Sequence, residues 1–353
     1  MEQMRVLLLC FIVVFLTACT GNEASSGSTT SPSSVYTKLW GSTMGTTFNI
    51  TYKDPQSRNL QVQVDSLLKA VNNEVSTYEK QSTISRVNAA GTDITLSGAV
   101  NGHFHQNYQK AKDVFDKTGG DFDPTVMPLV NYWGFGTSMK RAVTEIDSVK
   151  VDSLKQYVGF EKVQLRVSGN DLIVTKENPA VALDFSACAK GGGVDAVGAF
   201  FRFLGIEDYL IDIGGELVAR GISPRGIAWK VGISVPKEDA AADEVHTVVS
   251  LSDKAIATSG NHRNYYQTKG YKYGHTLNPS TGFPEKNDLL SATVFAGDCM
   301  TADAYATAFM VMGLEKALKL ATDIPEIEAF FIYGKPDGSM SVKYTPGATN
   351  YLE

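Results

Sequence analysis

The spacing of hydrophobic residues along the chain predicts a mixture of helices and strands. In residues 60–76 they recur every three or four positions, which places them on one face of an amphipathic helix. These residues are Leu60, Val64, Leu67, Leu68, Val71 and Val75. Residues 301–321 predict the longest helix. Strands are predicted at 46–53, 209–221, 228–236, 255–260, 329–333 and 341–344.

Two stretches rich in glycine or proline interrupt these elements. Residues 122–136, "FDPTVMPLVNYWGFG", favour a loop because they hold two prolines and two late glycines. Residues 183–205 predict a strand, a glycine cluster and then a helix. Helices and strands do not alternate regularly, so the order favours an α+β fold, with mixed or antiparallel sheets and packed helices, over a doubly wound parallel sheet.

The N-terminus indicates export. Arg5 precedes the apolar run 6–16, which is shorter than the roughly 20 residues that span a bilayer and is typical of a signal-peptide core. The following "LTAC" resembles the lipobox of bacterial lipoproteins, which implies that residues 1–18 are the signal peptide and that Cys19 is lipidated. The alternative is an ordinary secretory signal with an incidental cysteine.

The composition then divides the rest of the chain. Residues 19–34 have almost no apolar content and predict a flexible tether, whereas residues 35–353 predict one folded body. Removal of residues 1–18 takes away one acidic and one basic residue, so the net charge stays at −6. An acidic body argues against nucleic acid as a partner, and no second apolar run has the length of a membrane helix.

The stretch "GDCMTADAYATAFM", residues 297–310, places two polar side chains on an apolar helix. Asp303 and Thr307 stand four residues apart, so they lie on the same helix face. Carboxylate and hydroxyl oxygens are hard ligands suited to Mg²⁺ or Ca²⁺. The alternative is that Asp298 or Thr301 caps the helix and that Asp303 merely occupies a favourable first turn.

Two further stretches hold candidate chemistry. "DFSACAKGGGVD", residues 184–195, brings Lys190 and three glycines to a predicted helix start, where backbone N–H groups can face an anion. A tight turn explains the glycines equally well. Residues 258–284 contain His262, Arg263 and His275 among four tyrosines. Either histidine can act as a general base near neutral pH, or can be an ordinary loop residue.

Cysteine usage adds little to this picture. Apart from Cys10 and Cys19, the chain has Cys188 and Cys299. They could pair in an oxidising compartment, but two small buried hydrophobic side chains are the simpler interpretation. The sequence contains neither a C-x-x-C motif nor a histidine cluster of zinc type.

A metal site, an anion site, a base and aromatic surfaces together suit a phosphoanhydride ligand that carries a flat ring. The chain resembles the FAD:protein FMN transferases, the ApbE-like flavin transferase family, over roughly residues 36–335. The matching motifs, in order, are "MGTTFNI", "VSTYEKQSTISRVN", "FDPTVMPLVNYWGFG", "DFSACAKGGGVD", "LIDIGGELVARG", "AIATSGNHRNYY", "HTLNPSTG" and "DCMTADAYATAFMVMG".

The resemblance implies a two-lobed, T-fold-like α+β architecture for residues 35–353 and an enzyme that uses FAD as substrate and Mg²⁺ as cofactor. Such an enzyme moves FMN onto a threonine or serine hydroxyl of a target protein through a phosphoester bond and releases AMP. The implied targets are subunits of membrane electron-transport complexes, of the sodium-pumping NADH:quinone oxidoreductase type. The implied location is the periplasmic side of the bacterial envelope, anchored by Cys19 to the inner membrane.

The resemblance also assigns residues. It implies that Mg²⁺ is held by the carbonyl of Ala187 with Asp303 and Thr307, and that His275 is the base; spacing alone does not rank His275 above His262. The residues implied to contact FAD are Met44, Tyr78, Pro128, Leu129, Val130, Asp184, Lys190 and Ser259, with Thr281 as a further polar contact.

Two alternative functions use the same pocket. An FAD pyrophosphatase would let water replace the protein hydroxyl and would release FMN and AMP. A non-catalytic flavin-binding lipoprotein would need the pocket but no metal. Nothing in the sequence excludes hydrolysis, whereas the Asp303–Thr307 pair and His275 argue against mere binding.

Overall fold

A computed structural model describes residues 35–137, 146–237, 244–260, 265–268 and 271–353. The predicted signal peptide, the tether and the lipidated cysteine therefore lie outside the described residues, as do His262 and Arg263. The described residues belong to one compact unit, Ser34–Glu353. The predicted domain boundaries at residues 18 and 34 stay predictions.

The strands are numbered β1 to β15 in chain order. Their bounds are Tyr36–Thr43, Thr46–Lys53, Asp93–Leu96, Val163–Ser168, Asp171–Lys176, Asp208–Ile213, Glu216–Arg220, Trp229–Ser234, Val245–Leu251, Lys254–Gly260, Tyr265–Thr268, Tyr271–Gly274, Leu289–Ala296, Glu328–Gly334 and Met340–Tyr344. The helices α1 to α8 are Gln61–Val75, Thr83–Ala89, His103–Thr118, Met127–Tyr132, Ser148–Lys155, Ala189–Phe203, Cys299–Met312 and Leu314–Asp323.

An eight-stranded sheet forms the centre of the fold, in the order β1-β2-β6-β7-β10-β13-β14-β15. Each of its neighbouring strands pairs antiparallel. Smaller sheets are β3-β5-β4, β8-β9 and β11-β12. The predicted α+β class with antiparallel sheets and packed helices is therefore confirmed.

The large sheet buries both of its faces. Alternate residues of β2, namely Phe48, Ile50 and Tyr52, are buried in a cluster that includes side chains of α1 and α6. Side chains of α7 pack with those of β10, β13 and β14 in a second cluster. On the opposite face, side chains of β8 and β9 join a third cluster with Phe295 and Phe330. Among the helices of the described ranges, none combines the length and apolar composition that a membrane crossing requires.

Glycine positions explain where the predicted elements differ from the observed ones. Residues 209–221 form a hairpin of β6 and β7 and not one strand, because Gly214 and Gly215 adopt positive φ angles of 65° and 101° at the turn. The predicted helix 301–321 is two helices, α7 and α8, which meet at Gly313 with a φ of 71°. Among the described residues, the longest helix is α3, with 16 residues.

The prediction for the start of residues 183–205 was wrong in part, whereas residues 122–136 are mostly loop as predicted. Residues 183–188 form no strand, and the glycine cluster lies inside the first turns of α6 instead of in a turn before it. Within the loop 122–136, the short helix α4 tolerates Pro128 because a proline fits within the first turn of a helix.

Candidate active site

A cavity of about 710 Å³ opens where the ends of the central strands meet α6 and α7. It brings together most of the residues singled out from the sequence: Met44, Val130, Asp184, Ala187, Lys190, Ser259, His275, Asp303 and Thr307. These residues span more than 260 positions of the chain, so only the fold places them around one space.

Helix α7 supplies the carboxylate and the hydroxyl. Its N-cap is Asp298, whose side chain accepts a hydrogen bond of 2.8 Å from the N–H of Thr301. Asp303 is the fifth residue of the helix, beyond the first turn, and it is 2% exposed. Capping therefore explains Asp298 and leaves Asp303 free to serve the cavity, together with Thr307 one turn later.

Helix α6 approaches α7 closely at Gly191. The N–H of Gly191 donates a 3.0 Å hydrogen bond to Asp303 Oδ2. A Cβ atom added to Gly191 would lie 2.4 Å from the carbonyl oxygen of Cys299, which is far too close. The glycine cluster thus permits helix contact, and at least one of its N–H groups faces a protein carboxylate and not a free anion.

Lys190 lies between two carboxylates. Its Nζ is 2.6 Å from Oε1 of Glu216 and 3.6 Å from Oδ1 of Asp303. Burial by itself lowers the pKa of Lys190, but the two carboxylates outweigh burial and raise the pKa above its usual range. Burial and the charge of Asp303 raise the pKa of Glu216, against the pull of Lys190. Burial likewise raises the pKa of Asp303.

This cluster has the donor set of a divalent cation site. Two carboxylates face one ammonium, so one more positive charge would balance the cluster when both carboxylates are ionised. Glu216 and Ser291 line the cavity, and the buried Oε2 of Glu216 and Oγ of Ser291 have no hydrogen-bond partner among the described residues. Hard oxygen ligands of this kind suit Mg²⁺. The residues present therefore fit the predicted cation.

The described residues hold no group of three or more His, Cys, Asp or Glu side chains at metal-ligand spacing. The predicted set differs from such a group because it combines one carboxylate, Asp303, with the carbonyl of Ala187 and the hydroxyl of Thr307. Oγ of Ser259 lies 3.1 Å from Oγ1 of Thr307. Ser259 thus orients Thr307, in addition to lining the cavity.

His275, the residue that follows β12, lines the cavity. Its ring lies edge-on to Phe135, with 6.4 Å between ring centroids. The loop after it is held by Asn278, whose Oδ1 accepts from the N–H groups of Ser280 and Thr281. The "NPSTG" motif is therefore first of all a turn, and Thr281 belongs to it.

The same loop contacts Trp133, the C-cap residue of α4. Nε1 of Trp133 donates a 2.8 Å hydrogen bond to the carbonyl oxygen of Gly282, and the Trp133 ring packs against Phe283. Leu129 is fully buried in the same hydrophobic cluster as Trp133, so packing accounts for its side chain. Val130 lines the cavity, whereas Leu129 and Pro128 are not among the lining residues.

Two of the three remaining predicted contacts line the cavity. Asp184 lines the cavity and accepts from the N–H of Ser186; burial raises its pKa against this bond. Tyr78 is 67% exposed and is not among the lining residues. Partial burial raises the pKa of Tyr78, and the charge of Asp184 raises it further. Met44 lines the cavity with a φ of 50°, a left-handed conformation that a methionine rarely adopts.

Glu216 and Ser291 are among the polar lining residues that the sequence did not single out. Glu216 follows the turn glycines of "LIDIGGELVARG", and a carboxylate inside an apolar run is a sign that could have drawn attention to it. Ser291 offers no comparable signal. The two cysteines of the body, Cys188 and Cys299, are buried and free, and both belong to hydrophobic clusters.

The antiparallel α+β fold and a cavity that joins a carboxylate, a hydroxyl, a paired lysine and a histidine define an α+β enzyme. The chain belongs to the ApbE family: the profile of that family matches residues 44–331. The chain is similar to the FAD:protein FMN transferase of Vibrio cholerae serotype O1, with 38% identity over 304 residues that cover 85% of this chain and 88% of the relative. The FAD:protein FMN transferase of Haemophilus influenzae is 34% identical over 288 residues, 80% of this chain and 82% of the relative.

Solved structures agree with the family. The flavin transferase ApbE from Vibrio cholerae has a TM-score of 0.79 and 34% identity, and the match covers 90% of this chain and 99% of that chain. The apo form of Pseudomonas stutzeri flavinyl transferase ApbE has a TM-score of 0.74 and 30% identity over 88% of this chain and 95% of that chain. The prediction of an enzyme of this family is confirmed.

Proposed function

We propose that the chain transfers FMN from FAD to a threonine or serine hydroxyl of a target protein, with Mg²⁺ as cofactor, and releases AMP. Family membership supports the FAD:protein FMN transferase activity. The observation that carries the metal assignment is the meeting of Asp303, Thr307 and Ala187 at one cavity. Glu216 lines the same cavity, and its buried Oε2 has no hydrogen-bond partner among the described residues.

The covalent step is a phosphoryl transfer. The target hydroxyl oxygen forms a bond with the FMN phosphorus, the bond from that phosphorus to the AMP oxygen breaks, and AMP leaves with this oxygen. His275, at the cavity wall, accepts the proton of the hydroxyl. Lys190 supplies positive charge beside the pyrophosphate, held in place by Glu216.

The residues proposed to hold the cofactor and substrate are those that the family resemblance implies and that line the cavity. Ala187, Asp303 and Thr307 would hold Mg²⁺, which when bound neutralises charge on the pyrophosphate and on the leaving group. Asp184, Met44 and Val130 would contact FAD along the cavity wall. Ser259 keeps Thr307 oriented through their 3.1 Å contact.

A transfer assay tests the proposal. The full chain in detergent is incubated with FAD, Mg²⁺ and a redox-subunit domain that has an exposed threonine, and in-gel flavin fluorescence is measured on the denatured target. We expect a fluorescent target band that chelation by EDTA removes. Free FMN and AMP without a band would indicate the pyrophosphatase instead, and intact FAD with bound flavin would indicate a binding protein.

We also propose that the enzyme is anchored through Cys19 on the periplasmic side of the inner membrane, near targets of the sodium-pumping NADH:quinone oxidoreductase type. The signal-peptide core and "LTAC" support this proposal. An anchor would raise the effective concentration of enzyme at membrane-embedded targets.

Replacement of Cys19 by serine is expected to move the protein out of the membrane fraction and to lower target flavinylation in cells. The measurement is membrane fractionation with fatty-acid labelling, and the matched control is Cys10→Ser, which lies inside the predicted signal core. Equal labelling of the Cys19→Ser protein and the parent would contradict the anchor.

A further inference from the structure

Asp195 connects the two helices that form the candidate metal site. It lies on α6, and its two carboxylate oxygens accept hydrogen bonds from the first two amides of α7. The N–H of Cys299 donates to Oδ1 and the N–H of Met300 donates to Oδ2, each at 2.8 Å. One side chain of α6 thus satisfies two N–H groups that the start of α7 leaves without helix partners.

The start of α7 has a second acidic contact of a different kind. Asp298 is the N-cap, and it accepts from Thr301 within the same segment of chain. Its carboxylate also lies 3.5 Å from Nζ of Lys110 on α3, so Asp298 connects the start of α7 to α3 and not to α6. Asp195 is the residue that joins the helix start to α6.

The link bears on the candidate metal site because each helix carries one part of it. Ala187 lies two residues before α6, and Lys190 lies in its first turn. Asp303 and Thr307 lie on α7. The distance between the Ala187 carbonyl and the two α7 side chains therefore depends on how α7 is placed against α6.

The two helices are bonded at two levels. Inside the site, the N–H of Gly191 donates to Asp303. One helical turn further along α6, Asp195 holds the first residues of α7. Two bonded points along the helix pair restrict both the separation and the rotation of α7, whereas the Gly191 bond alone restricts only the separation.

We propose that Asp195 is a positioning residue for the metal site: by binding the N-terminus of α7 it holds the helix that carries Asp303 and Thr307 in place against α6 and the Ala187 carbonyl. This inference rests on the metal assignment in the proposed function. Asp195 lies outside the residues that line the cavity, so it acts through α7 and not by contact with substrate.

The test variant is Asp195→Asn. The amide keeps one acceptor oxygen and turns an NH₂ group toward the other backbone N–H, so one of the two bonds is lost. Burial and the charge of Asp298 raise the pKa of Asp195 to about 7. The ionised side chain therefore costs folding energy that an amide does not, and we expect the variant to fold.

The measurement is Mn²⁺ affinity of the full chain in detergent, followed by electron paramagnetic resonance of the free ion. We expect Asp195→Asn to bind Mn²⁺ about tenfold more weakly, which is the usual effect of losing a group that orients a ligand. The KM for Mg²⁺ should rise by a similar factor, while kcat at saturating Mg²⁺ stays within about twofold of the parent, because the ligands themselves are intact.

Asp298→Ala is the matched control, since it removes the N-cap and its ion pair with Lys110 but keeps both backbone N–H groups that donate to Asp195. It should lower the melting temperature through loss of the cap but leave Mn²⁺ affinity unchanged. Equal weakening of Mn²⁺ binding by Asp298→Ala would mean that only helix stability is measured, and would overturn the inference.

A second pair of variants tests the hydrogen bond between the Cys299 N–H and Asp195 from the donor side. Cys299→Pro deletes the N–H at the first helical position, where proline is accepted, and the ψ of 152° at Asp298 suits a residue before proline. Cys299→Ala keeps the N–H. We expect weaker Mn²⁺ binding for proline and not for alanine.

Parent-like Mn²⁺ affinity in both Asp195→Asn and Cys299→Pro would overturn the positioning role while leaving the proposed function intact. A parent enzyme that transfers FMN but binds no Mn²⁺ would instead overturn the metal assignment, and with it this inference.

Discussion

Replacement of Asp303 by asparagine is expected to lower the rate of FMN transfer severely and to leave the fold intact. The change removes the charged ligand of the proposed metal site, and a bound cation contributes several kcal/mol to the stabilisation of a phosphoryl-transfer transition state. That corresponds to a loss of about a thousandfold in kcat/KM. The measurement is the initial rate of target flavinylation at fixed Mg²⁺, together with Mn²⁺ affinity.

The stability of the Asp303→Asn protein, unlike its activity, should not fall. Asp303 is buried, and burial raises its pKa, so the ionised form is disfavoured by the fold at neutral pH. Lys190 would keep its closer partner Glu216 at 2.6 Å, so the substitution leaves no unpaired ammonium. We therefore expect the free energy of unfolding of Asp303→Asn to match or exceed that of the parent, within about 1 kcal/mol.

Variants of Thr307 provide the matched control. Thr307→Ser keeps the hydroxyl that contacts Ser259, and Thr307→Val replaces it by a methyl group of similar size. The serine variant should keep most of the activity, and the valine variant should lose metal affinity. Full activity in Asp303→Asn, or equal activity of the two Thr307 variants, would contradict the metal assignment.

The spacing of Asp303 and Thr307 predicted their shared face because both residues lie on one helix. A helix fixes the direction of side chains four residues apart, so their shared face follows from the sequence alone. The mixture of helical and alternating patterns predicted an α+β class in the same way. Both inferences depend on local geometry, which the nearby residues determine.

The partners of Asp303 were not predictable because they depend on packing between distant segments. Gly191 meets Asp303 only since α6 and α7 approach closely, and the sequence separation of 112 residues carries no sign of this. The pairing of Lys190 with Glu216 needs the β6–β7 hairpin, which the sequence pattern presented as a single strand. The motif resemblance assigned Lys190 and Asp303 to one site, but it did not show which side chains contact one another.

Replacement of His275 by glutamine is expected to lower transfer to protein by about a hundredfold to ten-thousandfold, the range that general base catalysis supplies. Glutamine keeps a polar side chain of similar size but cannot accept the hydroxyl proton at neutral pH. FAD affinity and Mn²⁺ affinity should stay within about twofold of the parent, because the cation cluster lies on α6, α7 and β7 and does not include His275. Single-turnover flavinylation of the target measures the effect.

The controls decide whether His275 or His262 is the base. His246→Gln alters an exposed histidine on β9 and should leave the rate unchanged, and His262→Gln tests the second histidine of the same stretch. A large loss in His262→Gln with a parent-like His275→Gln would contradict the assignment.

The rate of FAD hydrolysis distinguishes a base from a residue that positions the target. Water and threonine both need a proton acceptor, so a base acting on the nucleophile should lower FMN release and protein transfer together. If His275→Gln lowered transfer alone, His275 would instead position the target, and the proton would go to another group.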